Sequence, residues 1–115
     1  MRQPDPAETL VALTTLEDMA QAQELVRRLV DDRLVACGTV LPGATSIYRW
    51  EGAVTTASET VVLLKTTRAR WAGLVAAVER HHPYSVPELV ALPVVAGLAD
   101  YVAWVASETG PETVP

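Results

Sequence analysis

Two prolines in residues 82–88, which read His-Pro-Tyr-Ser-Val-Pro-Glu, place the strongest constraint on how this chain can fold. Each proline fixes its own φ and disfavours the helical region for the residue before it, so we expect His82 and Val86 to be extended. A helical pattern upstream must therefore stop here, and an apolar strand follows. A loop this stiff presents His82, Tyr84 and Glu88 with little ordering entropy left to lose on binding. The segment is the first candidate for a binding site.

The same residues also have a purely structural interpretation. His81 and His82 can cap the last carbonyl groups of the helix, where a hydrogen-bond donor or a partial positive charge is favoured. Glu88 can be a solvated residue at the start of the strand. Each residue taken alone favours this interpretation, whereas the concentration of polar groups in one short, rigid loop favours a site.

The first half of the chain predicts a strand, a helix and a long bent strand. Residues 9–14 are nearly all apolar, which is typical of a central strand that is buried on both faces. Thr15 or Asp18 can cap the helix that follows. The second strand covers 36–50, and the proline and glycine at 42–43 mark a bend or bulge within it. The expected buried stripe of the helix is Met19, Ala22, Val26, Leu29 and Val30.

The second half predicts a return strand, a second helix, a short last strand and a final helix. Residues 51–53 form the expected hairpin turn, in which glycine supplies a positive φ, and 60–66 form the return strand. Thr67 can cap the second helix, which should end near His81, and 89–92 form the last strand. The expected buried stripe of the second helix is Trp71, Leu74, Val75 and Val78. Leu98, Tyr101, Val102 and Val105 lie on one face of the final helix.

This order of elements is the split βαβ arrangement, the ferredoxin-like fold of the α+β class. A length of 115 residues, of which 50% are apolar, predicts one domain spanning 1–115, with a core of about 8–108 and a frayed tail at 111–115. The hairpin would overhang so small a domain, so we expect its outer half to pack on a neighbouring subunit. Tyr48 and Trp50 are predicted to lie in that interface, because aromatic residues favour interfaces.

Composition excludes several functions. A net charge of −5 argues against a nucleic-acid partner, because phosphate binding needs a basic stripe. An RNA-recognition module on the same fold is disfavoured, because its central strands would need stacking aromatic residues. The chain has no apolar run long enough to cross a membrane and no signal-peptide pattern, so the cytoplasm is the expected location. No serine, cysteine or lysine has an evident general base nearby in sequence, so nucleophilic catalysis has no support. We expect neither an enzyme nor an organic cofactor.

Cys37, His82 and Glu88 are the candidate metal ligands, because thiol, imidazole and carboxylate groups bind soft or borderline divalent ions. One group of each kind forms an open site at best, and Cys37 is the weakest candidate, since a thiol in an apolar strand is usually buried and inert. Lys65, at the end of an apolar strand, either extends to the surface or holds an anion. We expect Lys65 and Tyr84 to line a ligand cleft near a subunit boundary.

An ordered set of motifs spans roughly Leu10 to Ala106, and it consists of residues 37–50, Lys65-Thr66, residues 82–88, Ala91-Leu92-Pro93 and Tyr101 with Trp104. Together these motifs resemble the divalent-cation tolerance family called CutA. The resemblance implies a homotrimer of ferredoxin-like subunits, similar to the PII signalling proteins, with hairpins that cross between subunits. It also implies a link to copper tolerance and divalent-metal binding, and no established catalytic activity. Gly38-Thr39 departs from the apolar residue and asparagine that are usual in the family. The resemblance places Cys37, His82, Tyr84 and Glu88 at the family's cysteine, histidine, tyrosine and glutamate.

Two functions remain open from the sequence. The first is a homotrimer that binds divalent metal ions, with Cu²⁺ as the expected ion, and that takes part in the response to metal ions. The second is a PII-like signalling or scaffold trimer that binds a small anion or nucleotide in the clefts between subunits, an interpretation that Lys65 favours.

Overall fold

A four-stranded antiparallel sheet forms the centre of the structure, a computed structural model that describes residues 5–110. The expected tail at 111–115 lies outside the described residues. A short 3₁₀ turn, Arg68–Arg70, precedes the second helix. The elements in chain order are β1 (Thr9–Leu16), α1 (Met19–Asp31), β2 (Cys37–Trp50), β3 (Ala53–Thr67), α2 (Trp71–His81), β4 (Val90–Pro93) and α3 (Ala99–Glu108).

The strands lie in the order β2-β3-β1-β4, and every neighbouring pair is antiparallel. The two strands at the centre, β3 and β1, are each followed by a helix, whereas β2 and β4 lie at the edges. This topology confirms the predicted ferredoxin-like fold with an appended helix.

The core lies between α1, α2 and one face of the sheet. Successive side chains of a strand alternate between the two faces, so Ala12 and Leu16 of β1 and Val62 and Leu64 of β3 point to the same side. All four are fully buried. The helical residues that join them in the core are Ala22, Leu25 and Leu29 of α1 and Leu74 and Val78 of α2.

The start and the buried face of α1 differ from the prediction. Asp18, and not Thr15, caps the helix, because its carboxylate accepts hydrogen bonds from the backbone N–H groups of the second and third residues after it. Leu25 is buried, whereas Val30 is 40% exposed, so the predicted place of Val30 in the core was wrong. Val30 lies about 100° around the helix from Leu29, which turns its side chain away from the sheet.

Thr67 does not cap α2, so that prediction was also wrong. It is the last residue of β3, and its side chain makes no capping hydrogen bond. Its hydroxyl lies 3.4 Å from the hydroxyl of Thr109 instead. The 3₁₀ turn separates it from Trp71, where α2 begins without a side-chain cap.

The β2–β3 hairpin is long and overhangs the rest of the sheet, as predicted, although β3 starts at Ala53 and not at residue 60. A bulge at 42–43 interrupts the register, and Gly43 there has φ +81°. Glu51 and Gly52 form a two-residue turn in which both have positive φ. Because β1 ends opposite Thr60, residues 53–59 of β3 pair with β2 alone, over about 23 Å.

The appended helix α3 covers one end of the sheet face opposite α1 and α2. Three backbone carbonyl groups at its C-terminus accept hydrogen bonds from arginine side chains. Arg33 donates to Ser107 and Gly110, each at 2.8 Å, and Arg70 donates to Thr109. These donors satisfy carbonyl groups that a helix end otherwise leaves unpaired.

The remainder of that face, which we call the open face, is apolar and uncovered. Leu41, Val90 and Leu92 are 46%, 54% and 68% exposed. An apolar surface of this extent is typical of a site of association. The other apolar residues on the open face are half-buried, and they are Val11 and Leu13 of β1 and Val61 and Leu63 of β3.

Gly38 lies on the core side of β2, and the packing there explains why this position holds glycine. A Cβ at residue 38 would lie 2.7 Å from Cγ1 of Val26 in α1 and 3.0 Å from Cδ2 of Leu64. Glycine therefore lets α1 approach the strand more closely than a larger residue would.

We expect Gly38→Ala to lower the free energy of unfolding by about 1–3 kcal/mol, because it overpacks this contact. Val26→Ala removes the nearest atom, so the double variant should be more stable than the sum of the two single effects predicts. Denaturant unfolding at one fixed protein concentration measures all three. Strictly additive effects would show that the two positions do not interact.

Candidate functional site

The loop at residues 82–88 begins where the two prolines predict. The helix α2 ends at His81, and His82 is extended, with φ −73° and ψ +138°. The backbone N–H of His82 still donates to the carbonyl of Val78 at 2.8 Å, so the helix closes normally before the chain turns away. The loop then passes the end of β1 on its way to β4.

His82 is buried and makes a hydrogen bond through each ring nitrogen. Nε2 lies 2.9 Å from the carbonyl oxygen of Thr15, to which it donates, and Nδ1 accepts from the backbone N–H of Tyr84 at 3.1 Å. This pattern selects the neutral imidazole with its proton on Nε2. Burial lowers the pKa of His82 below its ordinary value, although the hydrogen bond to Thr15 opposes the shift. A metal ion can bind this ring only after one of the two bonds breaks.

Tyr84 connects the loop to the hairpin. Its ring packs edge-on against the His82 ring, with the ring centroids 4.8 Å apart. Its hydroxyl donates a hydrogen bond to Oε2 of Glu59 at 3.0 Å. Burial and the bond to the Glu59 carboxylate raise the pKa of Tyr84 to about 12, so the phenol stays protonated and acts as a donor at neutral pH.

A cavity of about 590 Å³ lies between this loop and the outer half of the hairpin. Its volume falls within the range that is typical of small-molecule sites. The carboxylates of Glu17, Glu59 and Glu88 line it, and no lysine, arginine or histidine of the described residues does. We call it the acidic cavity. Its other lining residues are Thr15, Ser46, Ile47, Tyr48, Trp50, Ala57, Ser58, Tyr84, Ser85 and Val86.

Within one subunit the structure brings together only some of the predicted site residues. Tyr84 and Glu88 line the acidic cavity, and so do Tyr48 and Trp50, which were predicted for the interface. His82 lies behind the cavity wall and holds the loop. Among the described residues, no group of three or more histidine, cysteine or acidic side chains is arranged to hold a metal ion.

Cys37 and Lys65 lie at the other end of the sheet from the acidic cavity. They are cross-strand partners on β2 and β3. Lys65 is six residues from Glu59 along β3, which corresponds to about 20 Å. The Cys37 thiol lies 3.6 Å from the hydroxyl of Tyr101 in α3. The hydrogen bond to Cys37 and burial raise the pKa of Tyr101.

Two residues of the cavity, Glu17 and Glu59, were not singled out from the sequence. Glu59 is the only acidic residue of β3, and its odd-numbered position gives its side chain the same direction as that of Lys65. The sequence pattern could have identified Glu59 as a candidate on this ground. Glu17 directly precedes the capping Asp18, and nothing in its local pattern indicates a cavity. Both positions follow from where β1 ends, which is a tertiary property.

The family model of the CutA1 divalent ion tolerance protein matches residues 10–108. The chain belongs to the CutA1 family. A divalent-cation tolerance protein CutA from Salmonella newport (strain SL254) is 44% identical over 97 residues, which are 84% of each chain. The solved structure of the divalent cation tolerance protein Cut A1 from Thermus thermophilus has a TM-score of 0.87 and 41% identity, covering 89% of this chain and 99% of that chain.

A more distant CutA, from Archaeoglobus fulgidus, has a TM-score of 0.85 and 25% identity, covering 90% of this chain and 99% of that chain, and it is described as periplasmic. The cytoplasmic location of the present CutA1 member therefore stays a prediction. Over residues 5–110, no helix combines the length and apolar character that a membrane span requires.

The lowered pKa of His82 predicts a loss of stability at mildly acidic pH. Because burial depresses the pKa in the folded chain, the unfolded chain takes up a proton first as the pH falls. The contribution of His82 to the free energy of unfolding is therefore complete above its unfolded pKa of about 6.5. This contribution decreases as the pH falls from there towards the lower pKa of the folded chain.

Urea unfolding between about pH 7.5 and 5.5 measures this effect. His82→Gln should lose this part of the pH dependence. His81→Gln, which changes the other histidine of the chain, is the matched control and should keep it. Equal pH profiles for wild type and His82→Gln would contradict the assignment.

Proposed function

We propose that this CutA1 member forms a homotrimer that binds divalent cations and takes part in the response to metal ions. The observation that carries the proposal is the acidic cavity, whose lining among residues 5–110 has three carboxylates and no basic side chain. A cleft lined by charges of one sign raises the local concentration of ions of the opposite sign. Membership of a divalent ion tolerance family supports the same class of ligand. We assign no catalytic activity.

The uncovered surfaces support self-association. The open face and the hairpin overhang leave large apolar side chains in contact with solvent, among them Ile47 and Val54 at 70% and 67% exposure. Tyr48 and Trp50 on the overhang are 41% and 53% exposed in the single subunit. Copies of the same chain can cover these surfaces in a closed ring.

The oxygen donors of the acidic cavity suit a divalent ion that keeps part of its hydration shell. Glu59 and Glu88 are the carboxylates that we propose as ligands, because one or two carboxylates with several waters are a common arrangement. Copper(II) remains the proposed ion, since a given set of ligands binds it more tightly than it binds the other divalent first-row metals. His82 acts as a positioning residue in this proposal, because both its ring nitrogens already have partners.

The alternative ligand, a small anion or nucleotide, receives no support from the cavity. Over the part of the chain that the structure describes, its lining contains no basic side chain, and Lys65 of the same subunit lies about 20 Å away along β3. Cys37 lies outside the cavity lining and stays a predicted ligand only.

The assembly can be tested with a charged substitution on the open face. Wild type should scatter light with three times the mass of the chain. Leu92→Glu places a carboxylate on the apolar face and should dissociate the trimer, because a buried unpaired charge is costly. Val30→Glu, at an exposed position on α1, is the matched control and should stay trimeric. A wild-type protein that is monomeric at micromolar concentration would contradict the proposed trimer.

The metal site can be tested by titrating Cu(II) into trimeric protein. Glu59→Gln and Glu88→Gln should each weaken binding by about tenfold, or roughly 1.4 kcal/mol, because each removes one negative ligand while keeping the side-chain shape. Glu79→Gln, on α2 and outside the lining of the acidic cavity, is the control and should bind as wild type does. Unchanged affinity in both cavity variants would place the metal ion elsewhere.

A further inference from the structure

Lys65 is the only lysine in the chain, beside eight arginines. It is half-buried on the open face, where its neighbours across the strands are Val11 and Cys37. The ion pairs found among residues 5–110 are formed by Arg33 and Arg68, and neither involves Lys65. A cation held at the margin of an apolar sheet face needs a carboxylate or water at its ammonium group.

Glu59 lies on the same face as Lys65, at the other end of β3. Their odd-numbered positions on one strand give both side chains the same direction, and the residues between them, Val61 and Leu63, are apolar. The face therefore has a cationic end and an acidic end, separated by about 20 Å, which no lysine side chain spans. The pair cannot form within one subunit.

In a closed ring of three copies, the two ends of the face can meet between neighbouring subunits. Its contacts are heterologous, so each joins two different patches of the same chain. When the open faces line the inside of such a ring and β3 runs around it rather than along its axis, the cationic end of each face meets the acidic end of its neighbour. Opposite charges at the two ends favour this arrangement, whereas placing like ends together is repulsive.

We infer that Lys65 of each subunit enters the acidic cavity of the next subunit, where it pairs with the cavity carboxylates, Glu59 foremost. The inference rests on the proposed trimer and deepens the proposed site, because the cavity is then completed by a neighbouring chain. One oxygen of Glu59 accepts the Tyr84 hydroxyl, which leaves the other for the ammonium group. The loop, the hairpin and the neighbouring subunit are thereby joined at one carboxylate.

The identity of the residue has a functional consequence. A lysine ammonium is a mobile point charge on a flexible stem, whereas an arginine would form a fixed, two-pronged pair with a carboxylate. Lys65 therefore neutralises the cavity in the metal-free trimer and withdraws when a divalent cation takes its place. Metal binding and the subunit contact compete for the same carboxylates, so each weakens the other.

Carbodiimide coupling provides a direct test, since it joins an amine to a carboxylate in contact with it, as an amide with loss of water. The wild-type trimer should give linked dimers and trimers on a denaturing gel. Peptide mapping should place the bond between Lys65 and Glu59, Glu17 or Glu88. Coupling within trimers assembled from ¹⁴N and ¹⁵N chains should yield peptides of mixed isotope, which shows that the bond crosses between subunits.

Three comparisons make the test decisive. Lys65→Met should remain trimeric and lose the links, Glu59→Gln should reduce them, and Glu79→Gln should leave them unchanged. Prior addition of Cu(II) alone should reduce coupling of the wild type severalfold. A trimer in which Lys65 couples to no cavity carboxylate would overturn the inference and leave the proposed trimer standing, whereas a monomer by light scattering would overturn both.

Discussion

The difference in length between β3 and β1 is the constraint on which the rest of the molecule depends. β3 has 15 residues, whereas β1 has 8. The outer part of the hairpin therefore has no third strand beside it within residues 5–110, and the loop at 82–88 closes the space that β1 leaves. The acidic cavity and the uncovered apolar surface of the hairpin therefore have the same structural origin.

Within that space, a short chain of hydrogen bonds determines the shape of the site. Burial of His82 against the carbonyl of Thr15 attaches the loop to the end of β1, and the bond from the backbone of Tyr84 to the same ring sets the direction of the tyrosine. The Tyr84 hydroxyl then holds Glu59. Because these groups are already hydrogen-bonded in the single subunit, this wall of the cavity has little conformational freedom left to lose. In this arrangement the histidine of the loop acts through the groups that it orients.

Much of the fold could be predicted because its signals are local. The two prolines end α2, the residues at 42–43 mark the bulge, and the turn follows from Gly52. The site was predicted less well because it depends on register. Glu59 lines the cavity only because β1 ends opposite its neighbour Thr60. No local sequence pattern predicts where a partner strand ends.

The helix errors have a similar cause. Val30 and Leu25 each fit an apolar spacing on α1, and the choice between them depends on the phase in which the helix meets the sheet. Periodicity identifies an amphipathic helix but determines its rotation to no better than one residue. Thr67 was a plausible cap because β3 and α2 adjoin, and the intervening 3₁₀ turn is what displaced it.

Both edges of the sheet carry a proline, Pro42 at the bulge of β2 and Pro93 at the end of β4. A proline has no backbone N–H, so neither edge offers an unbroken row of donors to an incoming strand. An exposed, regular sheet edge can add strands from other chains and so begin a fibre. In this chain a proline interrupts each edge, so the large apolar face can be exposed without a regular sheet edge beside it.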